Sequence, residues 1–265
     1  MINILFTCNW GYSSSELLDL YKRQTPNNSG IWGKIKGVTD INYCDVIVNM
    51  GNTVNVNNLL DKHLIQMRRE PDLIQPFIPC RNSSHYLMDY SDNKRYMASI
   101  WQFISMNFDE LVKYEYHEKI KVMSGITSDK HHHRNTFFEK LNKLNIGVDI
   151  FGKRYKEIHP ELKEQGLRNY QMSISIENSS QMNYFSEKIN DAYLYWSLPV
   201  YWGCPNIKEF FPENSYRLLD INDNDCISRI IKEPISDREI EDLREARNLV
   251  IYKYNIWPTI ENILK

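Results

Sequence analysis

No window of about 18 apolar residues occurs anywhere in the 265-residue chain, so no membrane-spanning helix is expected. Cysteine is scarce and scattered. The 5 residues Cys8, Cys44, Cys80, Cys204 and Cys226 include no CxxC pair, which argues against a zinc site or a disulfide framework and leaves free thiols in a reducing compartment. The first residues, Met1 to Phe6, lack a charged segment followed by a long apolar one, so no secretory leader is expected. An excess of one charge is missing too. The net charge is -2, which gives no basic footprint for nucleic acid. Internal repeats and low-complexity tracts are absent. What remains is an ordinary globular profile, 42% hydrophobic and 25% charged, long enough for one large domain or two smaller ones. Aromatics reach 12%, with 17 Tyr. That suits a carbohydrate-handling cleft, and equally a tyrosine-rich proteome of AT-biased coding.

Alternation of strand and helix signals runs through both halves. Ile2 to Thr7, Cys44 to Asn49 and His63 to Arg68 read as strands, and Glu16 to Lys22 as a helix. Trp32 to Val38 fits a strand or a short helix. Asn58 to Lys62 reads as helix, Ile78 to Tyr90 as loop, and the apolar spacing from Tyr96 to Tyr114 as helix. The pattern then restarts. Ile120 to Gly125 and Val148 to Gly152 are expected strands, with a helix from Thr127 to about Leu144 between them. Asp237 to Ile251 and Tyr254 to Lys265 are expected helices. Such alternation means α/β with doubly wound, Rossmann-like domains. The expected division is 1–115 and 116–265.

The most informative stretch runs from Ser173 to Asn206. Met172 to Ile176 reads as a strand and Asn178 to Gln181 as a turn. Ser186 can cap a helix starting Glu187-Lys188-Ile189 and running to about Trp196, and Leu198 to Trp202 reads as a second strand. In a right-handed β-α-β crossover the ligand sits off the carboxyl ends of the strands, near the helix N-terminus. Lys188 in that first turn is disfavoured by the helix dipole unless an anion is present, whereas Glu187 is placed favourably with or without a ligand. Together they suit a nucleotide sugar, with Lys for phosphate and Glu for ribose hydroxyls.

Glu177-Asn178-Ser179, Tyr184-x-Ser186-Glu187-Lys188, Asp191-Ala192 and Pro199-Val200-Tyr201-Trp202-Gly203-x-Pro205-Asn206 together resemble the signature of the family 10 α-1,3/1,4-fucosyltransferases. The chain has Ser186 where that family usually has Thr. The bulky Tyr193-Leu194-Tyr195-Trp196 run also departs from its small residues. The resemblance implies a GT-B fold, two Rossmann-like domains facing a cleft, with the acceptor on the first half and the donor on the second. It implies inverting transfer of fucose from GDP-fucose to a hydroxyl of an acceptor glycan. Animal members are usually Golgi-anchored. The lack of an anchor points to a soluble bacterial or viral version and to the cytoplasm of a bacterium or infected host.

Inverting transfer needs a base for the acceptor hydroxyl and positive charge for the departing diphosphate. Arg134 and Lys188 are the candidates for the diphosphate. Arg134 matches a second pattern of the resemblance, a strand end followed by an Arg and then Val148-Asp149-x-x-Gly152. By the same resemblance Glu187 holds the ribose, Tyr184 the fucose or ribose, and Glu177 the fucose, with Asn178 orienting nearby backbone or simply making the turn. Glu70, in Arg69-Glu70-Pro71 just past a strand, is the candidate base, although its adjacent arginines would lower its pKa. Trp10 and Trp32 are candidates for stacking on sugar, or buried core. No DxD stands at a predicted strand end. His131, His132 and His133 do not share a helical face and read as exposed helix residues rather than a metal site. No cofactor is expected, and a divalent metal would stimulate at most. Two alternatives stand beside this reading: another GDP-sugar as donor, or a catalytically silent protein that binds nucleotide sugar or glycan.

Overall fold

The computed structural model describes residues 1–50, 62–68, 83–87, 97–101, 103–128 and 130–265. They form two compact units. The first comprises Met1–Gln102, Met106–Lys113 and Tyr252–Lys265; the second comprises Phe103–Ser105 and Tyr114–Ile251. The expected Asn58–Lys62 helix and Glu70 fall largely or wholly outside the described residues.

In the first unit β1 (Ile2–Thr7) is followed by α1 (Ser14–Lys22). Ser13 and Glu16 start that helix reciprocally. The Ser13 hydroxyl accepts from the Glu16 amide at 3.2 Å, and the Ser13 amide donates to the Glu16 carboxylate at 2.8 Å. A hairpin of β2 (Ile31–Trp32) and β3 (Ile35–Val38) resolves the ambiguous stretch as strand. β4 (Val46–Asn49), β5 (His63–Met67) and β6 (Ser83–Leu87) complete a sheet of order β2-β3-β1-β4-β5-β6, parallel except at β2. Ile4, Phe6, Ile47, Val48 and Ile65 are fully buried, the signature of a parallel sheet covered on both faces. β6 overturns the expectation of loop there. Its Ser-rich run lacks strand composition, but the open edge of β5 supplies the ladder. The helix expected from Tyr96 to Tyr114 shrinks to α2 (Phe108–Lys113). Upstream of it, Ser99 pairs with Asn255 in a parallel bridge, and backbone pairing replaces the helical ladder that the apolar spacing suggested.

The second unit is all parallel. β7 (Lys121–Ile126), α3 (His132–Leu144), β8 (Val148–Phe151), β9 (Tyr170–Ile176), α4 (Glu187–Leu194), β10 (Leu198–Trp202) and β11 (Arg217–Leu218) give the order β11-β10-β9-β7-β8. α3 begins at His132 rather than Thr127, with His131 at its N-cap. α5 (Cys226–Ile230) and α6 (Asp237–Asn248) follow. α7 (Ile256–Ile263) then belongs to the first unit, not to the expected 116–265 domain. The reason is packing. Trp257 is 0% exposed, its ring centroid lies 5.5 Å from that of Phe6, and its Nε1 donates to the Tyr21 carbonyl at 2.8 Å.

Candidate functional site

α4 joins β9 to β10, whose residues pair in register from Met172↔Leu198 to Ile176↔Trp202. The chain leaves β9 at Glu177 and turns through Asn178 to Phe185 before entering α4. Ser186 is the N-cap, its side chain accepting from the Lys188 amide. The N-terminus of α4 thus sits at the carboxyl edge of the parallel sheet, where a βαβ fold gathers anions.

Glu177 is fully buried, and both its oxygens hold Ser186. Oε1 accepts from the Ser186 amide at 2.8 Å and Oε2 from the Ser186 hydroxyl at 2.6 Å. Lys188 Nζ lies 3.3 Å from Glu177 Oε2, 3.3 Å from Glu187 Oε1 and 2.9 Å from Ser186 Oγ. Burial pushes the Glu177 carboxyl up, opposed by Lys188 and by the Ser186 donors. Burial would raise Glu187 as well, but Lys188 and then Lys163 outweigh it and hold that carboxyl well below the ordinary range. Gly203 fits this packing. A Cβ there would lie 2.4 Å from Glu177 Cγ and 2.7 Å from the Tyr201 hydroxyl, so any side chain collides with the carboxylate that supports the cap.

Arg134 comes in from α3 and is 5% exposed. Its guanidinium donates to Asn178 Oδ1 at 3.3 Å, to the Ile176 carbonyl at 3.4 Å and to Ser128 Oγ at 3.0 Å. The first turns of α3 therefore lie at the same sheet edge as α4. His133 Nε2 is 3.1 Å from the Glu177 carbonyl oxygen, and its ring is 5.4 Å from Trp202. Burial and the charges of Arg134, Lys188, His133 and Lys130 push the His131 imidazole down to about 4. Two helix starts, Arg134 and Lys188 thus make one electropositive place. Among the described residues no group of three or more His, Cys, Asp or Glu could hold a metal ion.

Arg134, Glu177, Asn178, Glu187 and Lys188 are brought together. Tyr184 belongs to the same loop but is 1% exposed, and with Glu177 it supports the loop from within rather than offering surface. Glu187 (side chain 36% exposed) and Lys188 (16%) are the members that reach solvent. Sequence reasoning treated the three histidines alike. The structure leaves His132 exposed and makes His131 and His133 half-buried parts of the site. It also missed Lys163, whose Nζ is 2.5 Å from Asp191 Oδ2 across 28 residues, a pairing with no local signal.

Nearly the whole chain aligns with solved structures of alpha1,3-fucosyltransferases. One with GDP-fucose aligns with TM-score 0.55 at 16% identity over 96% of this chain and 82% of that one. One with GDP gives 0.54 at 16% identity, with the same coverage. This likeness defines the class of fold, a GT-B type α/β protein. The model of glycosyltransferase family 10 (fucosyltransferase), C-terminal part, matches residues 116–232. The alpha-(1,3)-fucosyltransferase FucT of Helicobacter pylori is 30% identical over 99 residues, 35% of this chain and 20% of that protein. A putative fucosyltransferase-like protein of Arabidopsis thaliana is 35% identical over 75 residues, 28% of this chain and 15% of that protein. The matched stretches span a fifth or less of these curated relatives. The match to glycosyltransferase family 10 thus lies in the second unit, over residues 116–232.

Proposed function

We propose that the protein transfers L-fucose from GDP-fucose to a hydroxyl of an acceptor glycan, with inversion and without an essential metal. One observation carries this reading: Arg134, Glu187 and Lys188 meet at the start of α4, inside the segment that matches the family 10 model. Relatives of the same fold are an alpha1,3-fucosyltransferase with GDP-fucose and one with GDP. In the proposed chemistry Lys188, Arg134 and the α4 N-terminus stabilise the diphosphate as the bond from fucose to phosphate breaks. Glu187, held ionised by the lysines, accepts from the ribose hydroxyls. Glu177, Asn178 and Tyr184 keep this loop in place behind the sugar. The acceptor side is assigned to the first unit, where Glu70, outside the described residues, takes the proton of the attacking hydroxyl.

The test is GDP release from GDP-fucose with a panel of β-galactosyl and N-acetylglucosaminyl acceptors in EDTA. Acceptor-dependent release is expected. Binding of GDP in preference to UDP and ADP, with no release, would move the reading to another GDP-sugar or to a silent binder. Release from another GDP-sugar separates the last two, and Glu70→Gln should then abolish that turnover while keeping GDP affinity, whereas a silent binder has no turnover to lose. Absence of any GDP binding would remove the nucleotide-sugar reading altogether.

A further inference from the structure

α4 carries two carboxylates, Glu187 and Asp191, at positions i and i+4, where like charges on one helical face repel. A lysine answers each. Lys188 Nζ stands 3.3 Å from Glu187 Oε1. Lys163 Nζ, from the 3-10 stretch Pro160–Gly166, stands 2.5 Å from Asp191 Oδ2. Lys163 and Lys188 line one cavity beside β9, together with Ser173 and Ser175. Asp191 is 2% exposed, and its Oδ1 has no hydrogen-bond partner among the described residues. Among the described residues, the ammonium of Lys163 alone satisfies this buried carboxylate, so the face of α4 is balanced as long as Lys163 is there.

We propose that Lys163 is a positioning residue of the nucleotide site, neutralising Asp191 so that the charge of Lys188 is available to a nucleoside diphosphate. The inference rests on the nucleotide-sugar reading above. It differs from a direct contact, because Lys163 acts through Asp191. Without Lys163 the two carboxylates on this face of α4, Glu187 and Asp191, are answered by Lys188, and a diphosphate meets one positive charge fewer. The groups facing Asp191 are Lys163, Glu187 and Lys188, and burial already pushes its carboxyl up to about 6. Losing Lys163 pushes it higher. In Lys163→Met, Asp191 is therefore protonated and harmless in acid, and becomes repulsive as pH rises through its raised value.

Titration calorimetry with GDP on wild type, Lys163→Met, Asp191→Asn and the double variant, at about pH 6 and about pH 8.5, tests this. Lys163→Met should bind GDP about tenfold more weakly than wild type at the higher pH and near-normally at the lower one. The double variant should recover to within about threefold and lose the pH dependence, and Asp191→Asn should bind at least as tightly as wild type. If Lys163→Met does not fold, Asp191→Asn decides: binding about tenfold weaker than wild type overturns the inference. Normal binding by Lys163→Met at both pH values, or a defect that the double variant does not relieve, also overturns it. A wild type that does not bind GDP overturns the function proposed above, and this inference with it.

Discussion

Lys188 lies between two carboxylates at the start of α4 and keeps 16% of its side chain in solvent. Lys188→Met should lower GDP affinity by about tenfold or more, the worth of a charge-assisted hydrogen bond. The same change leaves Glu177 buried without its cation, so the melting temperature should drop as well. Calorimetry and thermal melting read the two effects separately, and unchanged GDP affinity would exclude Lys188 from the diphosphate. Lys119 offers a pH test elsewhere in the second unit. It is 4% exposed and donates to the carbonyls of Arg168 and Tyr195. Burial, and then Arg168, push its ammonium down to about 8. A base with a depressed folded pKa is less protonated in the fold than in the unfolded chain. Stability is therefore gained as pH rises from about 8 towards the unfolded value, by up to about 3 kcal/mol. Guanidinium unfolding at about pH 8 and about pH 10 should show this gain in wild type and not in Lys119→Met.

At the scale of the element, the crossover from β9 through α4 to β10 concentrates its stability at one cap. Ser186 Oγ serves Glu177 at 2.6 Å and accepts from the Lys188 amide at 3.4 Å. Ser186→Ala should cost about 1–3 kcal/mol, because it removes a cap and leaves a buried carboxylate oxygen without a donor. Ser186→Thr keeps the hydroxyl and should stay near wild type, and equal losses in the two variants would show that the hydroxyl is not what matters. This crossover was the most legible part of the sequence. β10 was expected at Leu198–Trp202 and lies there, and α4 starts at Glu187 as the Ser186 cap implied. Local chemistry decides such boundaries: a hydroxyl before the first turn, a Gly and a Pro after the strand. Where pairing comes from afar, local signals fail. β6 exists because β5 has an edge, and the segment around Ser99 pairs with Asn255 rather than coiling. Within the site, charge and cap were readable from Lys188 and Ser186. The Lys163–Asp191 pair was not, because only the folded sheet brings the 3-10 stretch against α4.

For the whole molecule, the division into units does not follow the order of the chain. Residues Tyr252–Lys265 close the first unit, where Asn255 Nδ2 donates to the Gln24 carbonyl at 2.8 Å and Thr259 Oγ1 donates to the Met97 carbonyl at 3.1 Å. Trp257→Ala should cost about 3–5 kcal/mol, typical of truncating a large buried aromatic. Amide hydrogen exchange should show the loss in Ile2–Thr7 and Val46–Asn49 while Tyr170–Ile176 stays protected. Equal loss in both sheets would mean that the units unfold together.

The same return has a consequence for synthesis. The second unit lies almost entirely in the continuous run Tyr114–Ile251, whereas the first needs Trp257 against Phe6. On the ribosome the usual N-to-C order of domain completion is therefore reversed. The second unit has all its parts as soon as Ile251 clears the exit tunnel. The unit begun first waits, its Tyr21 and Phe6 surfaces uncovered, until α7 has emerged as well.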